Sequence, residues 1–89
     1  MRALVTVTGQ DSVGIIAAVC NLLAELNINI RDINQTVMEE FFTMAMMVDT
    51  SSCTCSYEEL RHALDAKGEE MGLTIRIQRE DIFRAMHRI

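Results

Sequence analysis

Between Thr8 and Ile16 the chain reads T-G-Q-D-S-V-G-I-I, a segment with the makings of an anion site. Arg2 to Thr8 is short and β-rich, and Ile15 to Leu26 carries a helical apolar pattern. A strand that feeds directly into a helix leaves the first N–H groups of that helix without intrahelical partners. Those groups, with the positive end of the helix dipole, can hold a carboxylate. Gly14 falls where a side chain would crowd anything approaching that helix start. The same residues also make an ordinary capped turn, with Asp11 or Ser12 as N-cap and the glycines serving only the bend. The loop by itself favours this plainer reading.

The remaining chemistry-bearing residues are sparse. Cys53-Thr54-Cys55 is a C-x-C in a polar stretch, able in principle to give a metal two thiolates. No second Cys or His pair stands at ligand spacing, and His62 and His87 are isolated. The expectation is therefore no metal and no cofactor, with Cys53 and Cys55 as exposed, dispensable loop residues. Cys20, mid-helix, reads as a small hydrophobe. There is no Cys–His or His–carboxylate signature, and the titratable groups scatter over loops and outer faces, so catalysis is not expected.

Composition sets bounds. Eighty-nine residues are expected to form one domain over 1–89, and 49% apolar content argues against global disorder. The seven methionines read as core filler. A net charge of −5 argues against a nucleic-acid partner, although Arg76, Arg79, Arg84 and Arg88 cluster late in the chain. No signal-peptide pattern and no membrane-length apolar run is present, so no membrane partner and a cytoplasmic location are expected.

Six main elements position these residues. Strand one is expected over Arg2 to Thr8 and helix one over Val13 to Leu26, ended by Asn27. Strands two and three are expected over Asn29 to Met38 and Phe41 to Asp49. Helix two starts at the capping box Ser56-Tyr57-Glu58-Glu59 and ends near Gly72, a residue suited to the left-handed C-cap. In strand four Leu73, Ile75 and Ile77 alternate with Thr74, Arg76 and Gln78, the mark of one buried and one wet sheet face. A short helix over Asp81 to His87 follows. The order predicts an α+β fold: a ferredoxin-like βαββαβ sandwich, four antiparallel strands with two helices on one face, plus a short C-terminal helix. In strand two Ile28 and Ile30 are out of phase with Ile33, Gln35 and Val37. A bulge near Arg31-Asp32 restores the inward set; a frayed edge there is the alternative.

Helix one is apolar over too wide an arc. Ile15, Val19, Leu22 and Leu26 make a core stripe, but Ile16, Cys20 and Leu23 continue round one side, and Ala17 and Ala24 extend it. A helix lying on a sheet needs only about a 100° stripe. The excess points to a homodimer. Cover from a C-terminal helix carrying Ile82, Phe83, Met86 and Ile89 is the competing explanation.

These features together resemble the ACT domain, the small amino-acid-sensing module of metabolic regulation. The resemblance is carried by V-T-V-T, G-Q-D-S-V-G-I-I, the helix ending L-A-E-L-N and N-I-N-I-R-D-I-N-Q-T-V, and it covers essentially the whole chain. The segments Q-T-V-M-E-E-F-F-T-M-A-M-M-V and I-F-R-A-M-H-R-I are similar to the small ACT proteins that carry no attached enzyme. The resemblance implies non-enzymatic, regulatory binding of a small molecule, often an amino acid, at a dimer interface, with output through a separate enzyme or regulator. It also implies a pocket made by the loop after strand one and the start of strand two from a neighbouring subunit. It carries over Asp11, Gly14 and Asn29 as matched positions, with Ser12, Val13 and Ile15 as loop neighbours and Gln35 farther along strand two. Amides near Val13 to Ile15 would meet a carboxylate, and Asp11 or the Asn29 side-chain carbonyl an ammonium. Asp11 as a cap and Asn29 as a turn residue remain alternatives. The rival functions are a small metabolic enzyme or accessory subunit of this fold and, behind it, a metal-trafficking protein.

Overall fold

Alternation in the first strand sets the layering. Ala3, Val5 and Val7 are fully buried, while Leu4 and Thr6 between them face the other way and stay half-exposed. The computed structural model describes residues 1–10 and 12–79, in which the order is β1 (Arg2–Gln10), α1 (Ile15–Glu25), β2 (Asn29–Met38), β3 (Phe41–Asp49), α2 (Tyr57–Met71) and β4 (Leu73–Arg79). Asp11 and the helix expected over Asp81 to His87 lie outside the described residues, as do the candidate cover residues Ile82, Phe83, Met86 and Ile89.

The strands form one antiparallel sheet in the order β2-β3-β1-β4. Ile15, Val19 and Leu23 of α1 and Leu60 and Leu64 of α2 join Val5, Val7, Phe42, Met44, Met46, Val48 and Ile75 in a single core, so both helices cover the same sheet face. The other face is mixed: Arg76 and Gln78 stand on it, and so do the half-buried Leu4, Ala45 and Met47. A row of threonines, Thr36, Thr43, Thr8 and Thr74, crosses all four strands on it, as a solvated face permits. This is the ferredoxin-like βαββαβ arrangement expected from the element order.

Element boundaries differ from expectation at two places. β1 runs on through Gly9 to Gln10 because β3 supplies partners as far as Phe41 and β4 as far as Leu73. Gly9 thus belongs to the strand and not to a bend, and a Cβ there would lie 2.6 Å from Leu73 Cδ2. α1 is shorter than Val13 to Leu26, and its buried stripe is Ile15, Val19 and Leu23, with Leu22 and Leu26 half-buried at its side. The expected break in β2 is present as a register shift between Ile30 and Asp32, so Ile33, Gln35 and Val37 stand on the helix-side phase opposite Met46, Met44 and Phe42.

α2 is closed at both ends by its own sequence. Ser56 Oγ accepts from the Glu59 N–H at 3.2 Å, and Glu59 Oε1 accepts from the Ser56 N–H at 3.1 Å, the reciprocal capping box. Gly72 takes φ +71° at the C-cap. The chain's first residue is held to the β3–α2 loop: Met1 O accepts from the Thr50 N–H at 2.8 Å, and the terminal ammonium lies 3.8 Å from Asp49 Oδ1.

Two carboxyls in this frame ionise more readily than usual. Asp49 is held low by hydrogen bonds from the Ser51 hydroxyl and N–H, with smaller help from the terminal ammonium and Arg31. Glu59 is held low by the Ser56 N–H and hydroxyl. A carboxyl whose folded value lies below its unfolded one stabilises fully above the unfolded value, and that contribution disappears as pH falls through the folded one. Urea midpoints should therefore drop as pH falls below about 4, the unperturbed carboxylate range. Asp49→Asn should flatten that acid limb; an unchanged slope in the variant would remove Asp49 from the explanation.

Candidate functional site

The loop after β1 leaves the start of α1 open. Gly14 is the N-cap residue, in the left-handed region at φ +91°, and it offers no side-chain cap. Gly14 and not Ser12 occupies that position, which corrects the capped-turn alternative as far as the described residues go. The reason is backbone geometry: the chain enters α1 through a conformation that L-residues rarely adopt and glycine adopts freely. Among the described residues beyond its two chain neighbours, no heavy atom lies within 4 Å of where a Gly14 Cβ would sit, so conformation and not crowding by them selects glycine. The intrahelical ladder begins with the Ala18 N–H donating to Gly14 O at 2.9 Å. The amides of Ile15, Ile16 and Ala17 precede it, and no acidic residue lies in the first turn. These donors suit an anion. Ser12 and Val13 are exposed, Val13 fully so, while the Ile15 side chain is buried and can contribute only its N–H.

Of the candidates on β2, Asn29 stands far from that loop within one chain, whereas Gln35 lies three residues from the strand end nearest to it. Asn29 pairs with Asp49, which pairs with Arg2, at one end of the sheet. Met38 pairs with Phe41, which pairs with Gln10, at the end where the loop begins. At roughly 3.3 Å per residue the two ends of β2 are about 30 Å apart. Asn29 also shares its phase with the threonine face, whereas Gln35, between Ile33 and Val37, shares the helix side.

Strand β2 is uncovered. Among the described residues, all of β2 except the half-buried Ile30 is exposed and no strand pairs with its outer edge; the bulge and the charges of Arg31 and Asp32 lie near its start, and Ile33 to Met38 carry neither charge nor proline. Ile33 is 41% and Val37 50% exposed although both lie on the core side, and Ile16 of α1 is 38% exposed. The phase break legible in the sequence identified the inward set; that the helices stop short of covering it required the structure.

The cysteines differ from expectation. Cys53 and Cys55 are half-buried, packed against the core, with their sulfurs 3.6 Å apart. Burial pushes the Cys55 thiol up, and its hydrogen bond with Cys53 adds to the effect. Among the described residues no three His, Cys, Asp or Glu side chains are grouped to hold a metal, and no helix is long and apolar enough to cross a membrane. Open clefts of about 350 and 420 Å³ flank Arg76 along β4 and α2. Of the candidate ligand-binding residues, Ser12, Val13, Gly14, Ile15, Asn29 and Gln35 do not line them, whereas Arg76 of the late arginine cluster does.

The described residues thus form a one-sided sandwich with no side-chain cap at the start of α1 and no partner on the outer edge of β2. The family model of the ACT domain matches residues 2–78, and the chain belongs to that family. A UPF0237 protein of Listeria innocua is 55% identical over 89 residues, all of both chains. The structure of an ACT domain protein from Streptococcus pneumoniae matches with a TM-score of 0.83 at 41% identity, covering 98% of each chain. The regulatory subunit of aspartate kinase from Thermus thermophilus, in a ligand-free form, matches with a TM-score of 0.68 at 28% identity, over 86% of this chain and 50% of that one. ACT domains are regulatory ligand-binding domains, and these relatives point to a small regulatory protein.

Proposed function

We propose that this protein is a non-enzymatic regulator that binds a small molecule with a carboxylate, an amino acid in the first instance, at the interface of a homodimer, and passes the signal to a separate enzyme or regulator. The observation that carries the reading is that, among the described residues, β2 is uncovered and no side chain caps the start of α1. Pairing β2 with β2 of a second copy about a twofold axis normal to the sheet continues one sheet through both copies. It keeps the helices on one side and gives Ile33, Val37 and Ile16 neighbours. Because that pairing is antiparallel, the start of each β2 lies beside the end of the other. The Asn29 end of one copy then reaches the Ser12–Gly14 end of its mate, which removes the 30 Å separation found within one chain. Arg31 of each copy is carried towards Glu39 and Glu40 of the other.

In this reading the Ile15, Ile16 and Ala17 amides receive the ligand carboxylate. Asp11, with Asn29 of the second copy, receives its ammonium, and Gln35 lines the helix side of the cleft. The aspartate kinase regulatory subunit supports a regulatory output of this kind. A thermal-shift screen of the twenty amino acids, with decarboxylated analogues as controls, tests it. A binder at a hundredfold its dissociation constant should add about 2.7 kcal/mol to stability, and its amine analogue should add none. A screen in which no amino acid shifts the transition, or in which the amine analogues act equally, would sink the carboxylate reading.

A further inference from the structure

The loop between β3 and α2 holds two thiols in a setting of their own, apart from the open start of α1. Cys53 and Cys55 place their sulfurs 3.6 Å apart, an S–H···S contact with no atom between them. The backbone around them is anchored on three sides: the Cys53 N–H donates to Thr50 O at 3.0 Å, Asn27 Nδ2 donates to Ser52 O at 3.0 Å, and Ser56 caps α2. The pair is thus kept together by the fold and not by chance collision of two loose side chains. A cavity of about 130 Å³ opens beside it, bordered by Met1, Thr50, Tyr57 and Leu60 as well as both cysteines. It gives a small reagent a way in. Cys20 sits on α1 and is no member of the pair.

We propose that Cys53 and Cys55 form a reversible intramolecular disulfide by exchange with a small-molecule disulfide. The Cys53 thiolate attacks one sulfur of the reagent, whose S–S bond breaks and releases a first small thiol. Cys55 then gives its proton to solvent and attacks Cys53 Sγ, and the second small thiol leaves. Two cysteine thiols are oxidised and one small disulfide is reduced to two thiols. Burial pushes the Cys55 thiol up, which suits it to the second, resolving step. Bridging residues two apart closes a small ring, and departures from relaxed disulfide geometry make a bond easier to reduce, so excess thiol returns the pair. The bridge spans Thr54, whose N–H donates to Leu26 O at the end of α1 at 3.1 Å. Oxidation therefore acts on the turn that leads into β2.

The test is to equilibrate the full-length reduced protein with oxidised glutathione and read intact mass and peptide linkage. The expected product has lost the mass of two hydrogens, links Cys53 to Cys55, leaves Cys20 open to alkylation and reverts with reduced glutathione. Cys55→Ser should stop at a single glutathione on Cys53, and Cys53→Ser should yield no bridge. Cys20→Ser should behave as the parent. Accumulation of glutathione adducts without hydrogen loss in the parent, a bond between chains, or a bridge that includes Cys20 would overturn the proposal.

Discussion

Val37→Asp combined with Ile33→Asp should turn a dimer into a monomer without unfolding it. Both side chains lie on the helix side of β2 yet remain about half exposed in the single chain. Carboxylates there stay in water as long as the chain is alone, and surface changes of this kind usually shift stability by no more than about 0.5 kcal/mol. Across a β2–β2 interface the same carboxylates are buried beside their symmetry mates. The effective penalty for burying an ion is several kcal/mol even after relaxation, and twofold symmetry applies each substitution twice. Since each 1.4 kcal/mol is tenfold, dimer dissociation should strengthen by more than about a thousandfold. Sedimentation equilibrium of parent and variant, with far-UV circular dichroism on both, checks this. A parent that remains monomeric at high micromolar concentration would remove the dimer, and with it the composite pocket. A dimeric variant would move the interface away from β2.

How far the sequence foretold this arrangement depends on whether a signal was local. The α2 boundaries were legible because capping chemistry is local: Ser56, Glu59 and Gly72 each satisfy a nearby backbone requirement. The β2 irregularity was legible because a side-chain phase change in a period-two element needs an extra residue. The end of β1 was not, because Gly9 and Gln10 are strand only by virtue of neighbours far away in sequence, Phe41, Phe42 and Leu73. The buried stripe of α1 was legible only in part: Leu23 replaced Leu22 and Leu26 at its centre because the axis of the helix over the sheet is a tertiary quantity. The thiol pair was missed for the same kind of reason. C-x-C gives a spacing, whereas proximity and half-burial came from a loop pinned to Met1, Leu26 and Asn27. At the site, the loop's chemistry was readable residue by residue. Its separation from Asn29 was not, because strand direction and sheet order decide which ends meet.

Gly14 separates a binding role from a backbone role, and two substitutions there should give different results. Its φ of +91° means that alanine or leucine is strained even though no described residue beyond the chain neighbours comes within 4 Å of the new Cβ. Gly14→Leu should therefore lose roughly 1–2 kcal/mol of stability without ligand, the usual cost of a left-handed L-residue. Asparagine tolerates that conformation far better, since its short polar side chain can bond locally. Gly14→Asn should consequently leave the ligand-free transition close to that of the parent. It nevertheless places a side chain over the amides of Ile15, Ile16 and Ala17, where the carboxylate is expected. The amino acid identified by thermal shift should bind Gly14→Asn at least about tenfold more weakly by calorimetry, a loss of roughly 1.4 kcal/mol. Unchanged affinity in Gly14→Asn would place the pocket elsewhere and leave the loop a turn with a glycine in it. Weak binding in Gly14→Leu alone, in step with its lost stability, would show only that the backbone at this position must stay left-handed.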